Sequence, residues 1–390
     1  MDRRLMILTY NLFLGPFGGV NVIISMMGVL QKELGTTLEM VTLSIAMAMF
    51  PFAIFQFFTG ALADTWDAKK TIVAGMSAYC AAALICGLAP NIWVFMAGRF
   101  LQGVGLAFVN PVSLALVGEI VRPERRGYVM GWMGTINTLG IALGPLAGGI
   151  AAEYDWRYVY YLIIAMSVIS VLLFQFAFGD MPKKVKAAPN IIANLKRVGS
   201  MTAIQLVCMA GFMAFFAYGA NLTFVSDNME GVLHYSPTEV GTAISLGGVA
   251  GILASPVAGW SSDRFGRVTV SAVGFLLVGT AYALFSFASS IPQAVALFAL
   301  VGAGQGFVWA GIMTLSVELV PEARGTSSTL FNGTRFTGYS IAPIVLVPLY
   351  LSYGLVPVLM IAVAMSLAGL VLVIALRKLV PVRAPAADKK

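Results

Sequence analysis

Charge is what this chain has least of. Only 11% of its 390 residues are Asp, Glu, Lys or Arg, and 59% are hydrophobic. A soluble domain carries about 25% charged residues, so this chain cannot keep its surface wet, and its main solvent is lipid. Histidine occurs once, as His234, and cysteine three times, as Cys80, Cys86 and Cys208. The cysteines stand in apolar runs without metal-ligand spacing, which excludes a cysteine–histidine metal cluster and leaves them as packing residues. No phosphate-cradling loop and no His-Glu-x-x-His pattern occurs. No catalytic constellation and no large hydrophilic segment is available for a membrane enzyme or a receptor. The apolar runs do not alternate in period two, which argues against transmembrane strands.

What is present is a series of long apolar runs. A bilayer core about 30 Å thick needs about 20 helical residues. Charges and turn chemistry divide the chain into twelve expected spans, near 5–30, 39–63, 70–89, 92–120, 127–151, 157–179, 201–226, 237–262, 268–289, 292–319, 326–351 and 354–377. The first is too long for a cleaved signal peptide and ends without a small-x-small site. The expected fold is an all-α membrane protein of twelve transmembrane helices in two pseudo-symmetric six-helix halves. The halves are 1–180 and 201–380, joined by a linker at 181–200 and followed by a tail at 381–390.

The net charge of +7 is distributed unevenly. Arg3, Arg4, Lys69, Lys70, Arg122, Arg125, Arg126, Lys183, Lys184, Lys186, Lys196, Arg197, Arg264, Arg267, Arg324 and the basic C-terminal tail all fall on one side of a twelve-span chain. The other side has only Lys32 and Arg157. The positive-inside rule makes the first side cytoplasmic, with both termini and the linker, in a cell membrane. This asymmetry explains the basic balance without nucleic acid. The outer loops carry Glu33, Glu39, Glu153, Asp155, Asp227, Glu230 and Glu239.

The two halves also repeat. Gly60 to Asp64 matches Gly259 to Asp263 at an offset of 199, and Gly103-x-Gly105 matches Gly302-x-Gly304 at the same offset. Pro123-Glu124-Arg125-Arg126-Gly127 matches Pro321-Glu322-Ala323-Arg324-Gly325 at 198, as Pro145 matches Pro343. Repeated halves are the mark of secondary transporters, whose substrate site lies between the repeats near the midplane. Without a nucleotide site, the energy comes from a gradient; one charge crossing 100 mV supplies about 2.3 kcal/mol.

Three motifs stand on this scaffold. Gly60-Ala61-Leu62-Ala63-Asp64, followed by Lys69 and Lys70, lies between spans 2 and 3; its second copy is Gly259, Asp263, Arg264, Gly266 and Arg267. A carboxylate at such a helix end can face the positive end of a neighbouring helix. Arg99, with Gln102 and Gly103, stands well inside span 4, where a centred Arg costs roughly 2.5–3.5 kcal/mol on the insertion scale and needs compensation. Span 5 carries Gly140, Gly144, Pro145, Gly148 and Gly149, which allow close helix approach and a bend.

These motifs resemble those of the major facilitator superfamily, and more narrowly its twelve-helix drug:proton antiporter branch, over nearly the whole chain. The resemblance implies that the Gly60 and Gly259 motifs are conformational latches, that Arg99 contributes to proton coupling or substrate binding, and that the span-5 motif goes with export. It further implies small-molecule transport with proton coupling. No cofactor and no metal is expected, and the functional unit is expected to be a monomer. The first latch departs from the family pattern, with Thr65, Asp67 and Ala68 where Arg and Gly are usual. The second copy is closer.

The chain also lacks the membrane-embedded acid that the branch usually carries in span 1, which offers Asn11, Asn21 and Ser25 instead. Arg335 in span 11 is a second intramembrane cation, able either to face the path or to snorkel to the interface. Two cations without a central acid point to an anionic or neutral substrate. Glu119 and then Asp227 are the candidate proton carriers. His234 reads as a solvated loop residue rather than a relay. Asn11, Asn21, Gln102, Asn110, Asn137 and Asn332 either line the path or make inter-helix hydrogen bonds. The leading expectation is proton-linked export of small organic compounds; the alternative is an importer or facilitator of an organic anion.

Overall fold

The computed structural model describes residues 3–65, 67–178 and 191–379. Among them regular structure is helical, with no strand. Eleven helices are long and apolar enough to cross a membrane, and the bent pair Arg3–Phe17 and Asn21–Glu33 makes a twelfth crossing. Spans 2 to 6 are Leu38–Thr65, Ala68–Gly87, Ile92–Ile120, Pro123–Tyr154 and Arg157–Leu172. Spans 7 to 12 are Thr202–Gly231, Pro237–Phe265, Arg267–Phe285, Ile291–Glu318, Arg324–Tyr353 and Leu355–Leu376. A short helix, Ile191–Gly199, occupies the end of the expected linker. Its Val198 is buried against Ile204 and Val320.

Local chemistry sets the helix ends. The Asn91 side chain accepts from the Trp93 and Val94 backbone at 3.1 Å, and Asp67 caps span 3 through the Lys69 and Lys70 backbone. Ser236 and Glu239 form a reciprocal capping box on span 8, which satisfies donors that a helix start leaves orphaned. Gly266 and Gly354 adopt φ of 89° and 77°, turning the chain sharply between successive spans where a Cβ would be strained.

Span 1 departs from the continuous helix expected over 5–30. It runs as an α-helix to Phe17, passes through a 3₁₀ stretch at Val20–Met26 and resumes at Met27–Glu33, with a bend of 43°. Pro16 stands just before the break. Non-helical backbone at membrane depth persists only where buried protein groups satisfy it, and the groups that do so here come from span 4.

Spans 1–6 pack mainly on one another, and spans 7–12 likewise. The two halves use the same contacts. A Cβ at Gly103 would strike the Ala48 carbonyl of span 2, and one at Gly302 would strike the Gly247 carbonyl of span 8. Gly75 and Gly105 abut each other's carbonyls, and Gly274 abuts that of Gly304; Gly140 abuts the Phe13 carbonyl and Gly338 that of Phe212. Every pair is separated by 199 or 198 positions. In lipid, where apolar burial drives little association, such close approach supplies the van der Waals contact that holds helices together. Spans 2 and 11, and spans 5 and 8, are the principal contacts between the halves. We call the side carrying the loops after spans 2, 4, 8 and 10 the basic face.

Candidate functional site

Arg99 has no exposed surface. Its Nη1 donates to Gln102 Oε1 at 2.5 Å and to the Gly19 carbonyl at 3.3 Å, and Gln102 Nε2 donates to the Gly18 carbonyl at 2.7 Å. The two side chains thus hold the backbone of the span-1 break. Tyr79, which donates to the Gly15 carbonyl at 3.2 Å, stands beside Arg99 together with Cys86 and Tyr160. Its Nε and Nη2 find no acceptor among the described residues. These neighbours belong to the first half; Tyr339 of span 11 also stands close enough to feel the Arg99 charge. At the repeated position the second half has Phe298, buried edge-on against Phe285 at 5.0 Å.

Arg335 is held differently. Its guanidinium carbon lies 3.9 Å from the Trp309 ring centroid, 4.2 Å from Phe336, 4.6 Å from Phe215 and 5.9 Å from Phe331. Spans 7, 10 and 11 supply this cage. Nε is enclosed without a partner, and no carboxylate among the described residues pairs with the side chain. Phe336 carries the cage to the other half, packing edge-on against Phe52 of span 2 at 4.8 Å. The rings around Arg335 and the groups bonded to Arg99 have no residue in common.

The halves meet closely toward the face opposite the basic one. Gly149 of span 5 abuts the Pro237 carbonyl of span 8, and Gly241 of span 8 abuts the Pro145 carbonyl. Ser245 Oγ donates to the Ala142 carbonyl at 2.5 Å. Within the first half, Gly148 abuts the Val22 carbonyl, Gly144 the Phe17 carbonyl, and Ser25 Oγ donates to the Pro145 carbonyl at 2.6 Å. Across the halves, Tyr339 donates to Asn21 Oδ1 at 2.9 Å, and the Gly28 backbone N–H donates to Glu230 at 3.2 Å. Asp227 accepts from Tyr350 at 2.8 Å. Leu38 of span 2 is buried with Phe216, Leu346 and Val347 of the second half. Toward the basic face spans 5 and 8 part, while spans 2 and 11 still touch where Phe57 lies against Gly333. Among the described residues, Gly134 of span 5 and Gly259 of span 8 have no neighbour within 4 Å of where a Cβ would stand.

The second latch motif closes within its own half. Arg267 donates to Asp263 at 2.5 Å, to Ser262 at 3.1 Å and to Glu318 at 3.4 Å, tying spans 8, 9 and 10 together. Arg264 lies over Trp260 and Phe265 instead. In the first copy, the Asp67 cap engages the backbone of Lys69 and Lys70. The surroundings of Gly60, Asp64 and Glu119 lie outside the described residues. Asn11 accepts from Ser170, Asn137 donates to the Leu12 carbonyl at 3.2 Å, and Asn332 donates to Ser328 at 3.3 Å. Asn110 Oδ1 is enclosed without a partner. Sequence reasoning placed Glu230 in an outer loop and did not bring Phe215, Phe336 or Tyr339 to a site. Spacing alone signals none of these, because each is defined by a contact with another span.

The sequence model of the Major Facilitator Superfamily matches the chain twice, over residues 12–206 and 207–390. The chain belongs to that superfamily and is a multi-pass membrane transporter of small molecules, not an enzyme. It is 25% identical to the quinolone resistance protein NorA of Staphylococcus aureus over 96% of both chains. It is 24% identical to a multidrug resistance protein B homolog of Mycobacterium tuberculosis over 79% of this chain and 69% of that one. It is 25% identical to the uncharacterized transporter YceJ of Bacillus subtilis over 80% of each. A crystal structure of the peptide transporter POT with alafosfalin superposes with a TM-score of 0.78 over 97% of this chain and 95% of that one, at 14% identity, a likeness of fold.

Proposed function

We propose that this transporter works by alternating access and exports small organic compounds in exchange for protons, with both termini in the cytoplasm. The observation that carries alternating access is the one-sided contact between spans 5 and 8. Spans 5 and 8 touch at Gly149, Pro145 and Ala142, yet Gly134 and Gly259 farther along the same helices meet nothing among the described residues. Rocking the halves about the midplane would part the first set and close the second. The basic charge of the open face supports its cytoplasmic placement. Export is supported by the span-5 glycines and by the names of two relatives, which refer to resistance to drugs.

Glu230 supports the proton step. Its carboxylate accepts from Gly28 across the halves, so protonation from outside weakens a bond that keeps the outer end shut. Asp227 and Lys32 act on Glu230 electrostatically, and Asp227 itself is bonded to Tyr350. Asp227 is therefore retained as a proton carrier, with Glu230 beside it. The test is uptake of a fluorescent quinolone into inside-out proteoliposomes under an imposed pH gradient, inside acidic. Gradient-driven uptake is expected, and Glu230→Gln is expected to make the rate several-fold less sensitive to luminal pH. Uptake indifferent to the gradient overturns proton coupling; uptake only into right-side-out vesicles overturns export. Import of an organic anion is the second reading, and the unpaired Arg335 favours it.

A further inference from the structure

Among the described residues, Arg335 is a guanidinium within the membrane-spanning bundle that faces aromatic rings and no acid. Trp309, Phe336 and Phe215 lie 3.9, 4.2 and 4.6 Å from its carbon. Ring faces attract a cation, but they accept no conventional hydrogen bond from a planar five-donor group. The side chain is half-buried, with Nε enclosed and unpartnered, and no hydrogen bond to the terminal nitrogens occurs among the described residues. A fork in that condition matches a carboxylate, which takes two parallel N–H bonds.

The placement adds a second, independent argument. The repeat gives each cage member a counterpart in the first half: Asn137 for Arg335, Asn110 for Trp309, Pro16 for Phe215, Thr138 for Phe336 and Met133 for Phe331. None of those counterparts is cationic or aromatic, so the scaffold alone does not require the cage. Asn137 spends its amide on the Leu12 carbonyl, a bond between helices of its own half. Arg335 makes no such bond among the described residues. The cage also borders the moving boundary, since Phe336 touches Phe52 of the opposite half at 4.8 Å. Rocking of the halves must change that contact.

We infer that the Arg335 cage is a substrate subsite for flat aromatic organic anions, the guanidinium taking the carboxylate and Trp309, Phe215 and Phe336 taking the ring system. This assignment rests on the transport reading above and names its substrate class. An aromatic anion is favoured over a small inorganic one because the cage walls are ring faces. A bound ring gains edge or offset stacking with them while its carboxylate neutralises the buried charge.

Binding of 2-naphthoate, 2-naphthamide and 2-naphthylmethylammonium to the purified full-length transporter separates the terms, because the three probes share one ring system. Naphthoate is expected to bind at least about tenfold tighter than the amide. Arg335→Gln should bring the two together while amide binding persists, which also certifies that the variant is folded. Arg335→Lys should restore only part of the preference, since it keeps the charge and loses the fork. Trp309→Leu should weaken naphthoate and naphthamide alike. An amide that binds as tightly as naphthoate, a preference for the ammonium probe, or an Arg335→Gln protein that still prefers naphthoate overturns the assignment. In proteoliposomes the two readings come apart. Transport of naphthamide with no advantage for naphthoate removes the subsite and leaves alternating access intact. Specific naphthoate binding with no transport of any probe does the reverse.

Discussion

Arg99 and Arg335 are both guanidiniums inside apolar helices, and they are held in opposite ways. Arg99 is enclosed completely, bonded to Gln102 and to the backbone where span 1 breaks. Arg335 is stacked among rings, unbonded and only half-buried. Removing a buried charge from its partners leaves orphans, whereas removing an unpartnered charge leaves none. The pair therefore teaches that an intramembrane arginine is not one kind of evidence. Arg99 spends Nη1 on the fold and leaves Nε and Nη2 without an acceptor among the described residues, whereas Arg335 has none of its donors bonded there.

The comparison is broken most directly by replacing each arginine with leucine. Arg99→Leu strands the Gly19 carbonyl and the Gln102 amide oxygen in a sealed pocket, and should cost about 1–3 kcal/mol for each of them. The expected result is a large fall in the melting temperature of the solubilised protein, with Arg99→Lys recovering part of it. Gln102→Leu comes next. It frees the Gly18 carbonyl and takes from Arg99 a charge-assisted bond, a loss of about 1.5–3 kcal/mol by the same measurement. Arg335→Leu should leave the melting temperature unchanged or slightly raised, because an apolar side chain among Trp309, Phe215 and Phe336 relieves an uncompensated charge. A fall as large as that of Arg99→Leu would place Arg335 in the scaffold and erase the distinction.

Much of the scaffold was legible because glycine records backbone approach. Gly103 and Gly302, and Gly140 and Gly338, repeat at offsets of 199 and 198, and each proves to sit on a carbonyl of a neighbouring helix. The twelve crossings were legible because hydropathy and chain length report them directly. The break in span 1 was not. Gly15-Pro16-Phe17-Gly18-Gly19 stands at the break, but such residues are common in transmembrane helices, and the groups that stabilise the break lie some eighty residues on, in Arg99 and Gln102. The cage was half legible: Arg335 stands out in any apolar run, but the rings around it are drawn from three spans, and aromatic residues in lipid are too common to single out. Glu230 was misplaced for a related reason. A charge at the end of an apolar run reads as the boundary of the run, and only the fold shows Gly28 of the other half against it.

Arg267 provides the smallest effect and the control for the other two. It is a third arginine, placed at the basic face, and unlike Arg335 it has its acids: Asp263 and Glu318, both partly in solvent. Exposed ion pairs of this kind contribute about 0.2–1 kcal/mol, and salt screens them. Arg267→Ala should therefore lower the melting temperature by a small amount at low salt and by less at high salt, while the changes at Arg99 and Gln102 keep their size. Salt reaches a pair in water and not a sealed pocket, so the salt dependence itself ranks the three arginines by solvent access. The Asp263→Asn variant alone, and the double change with Arg267→Ala, complete a cycle whose coupling should stay within that same small range. A coupling of several kcal/mol would mean that the latch motif fastens more than spans 8, 9 and 10, and that its partner across the halves is engaged in solution.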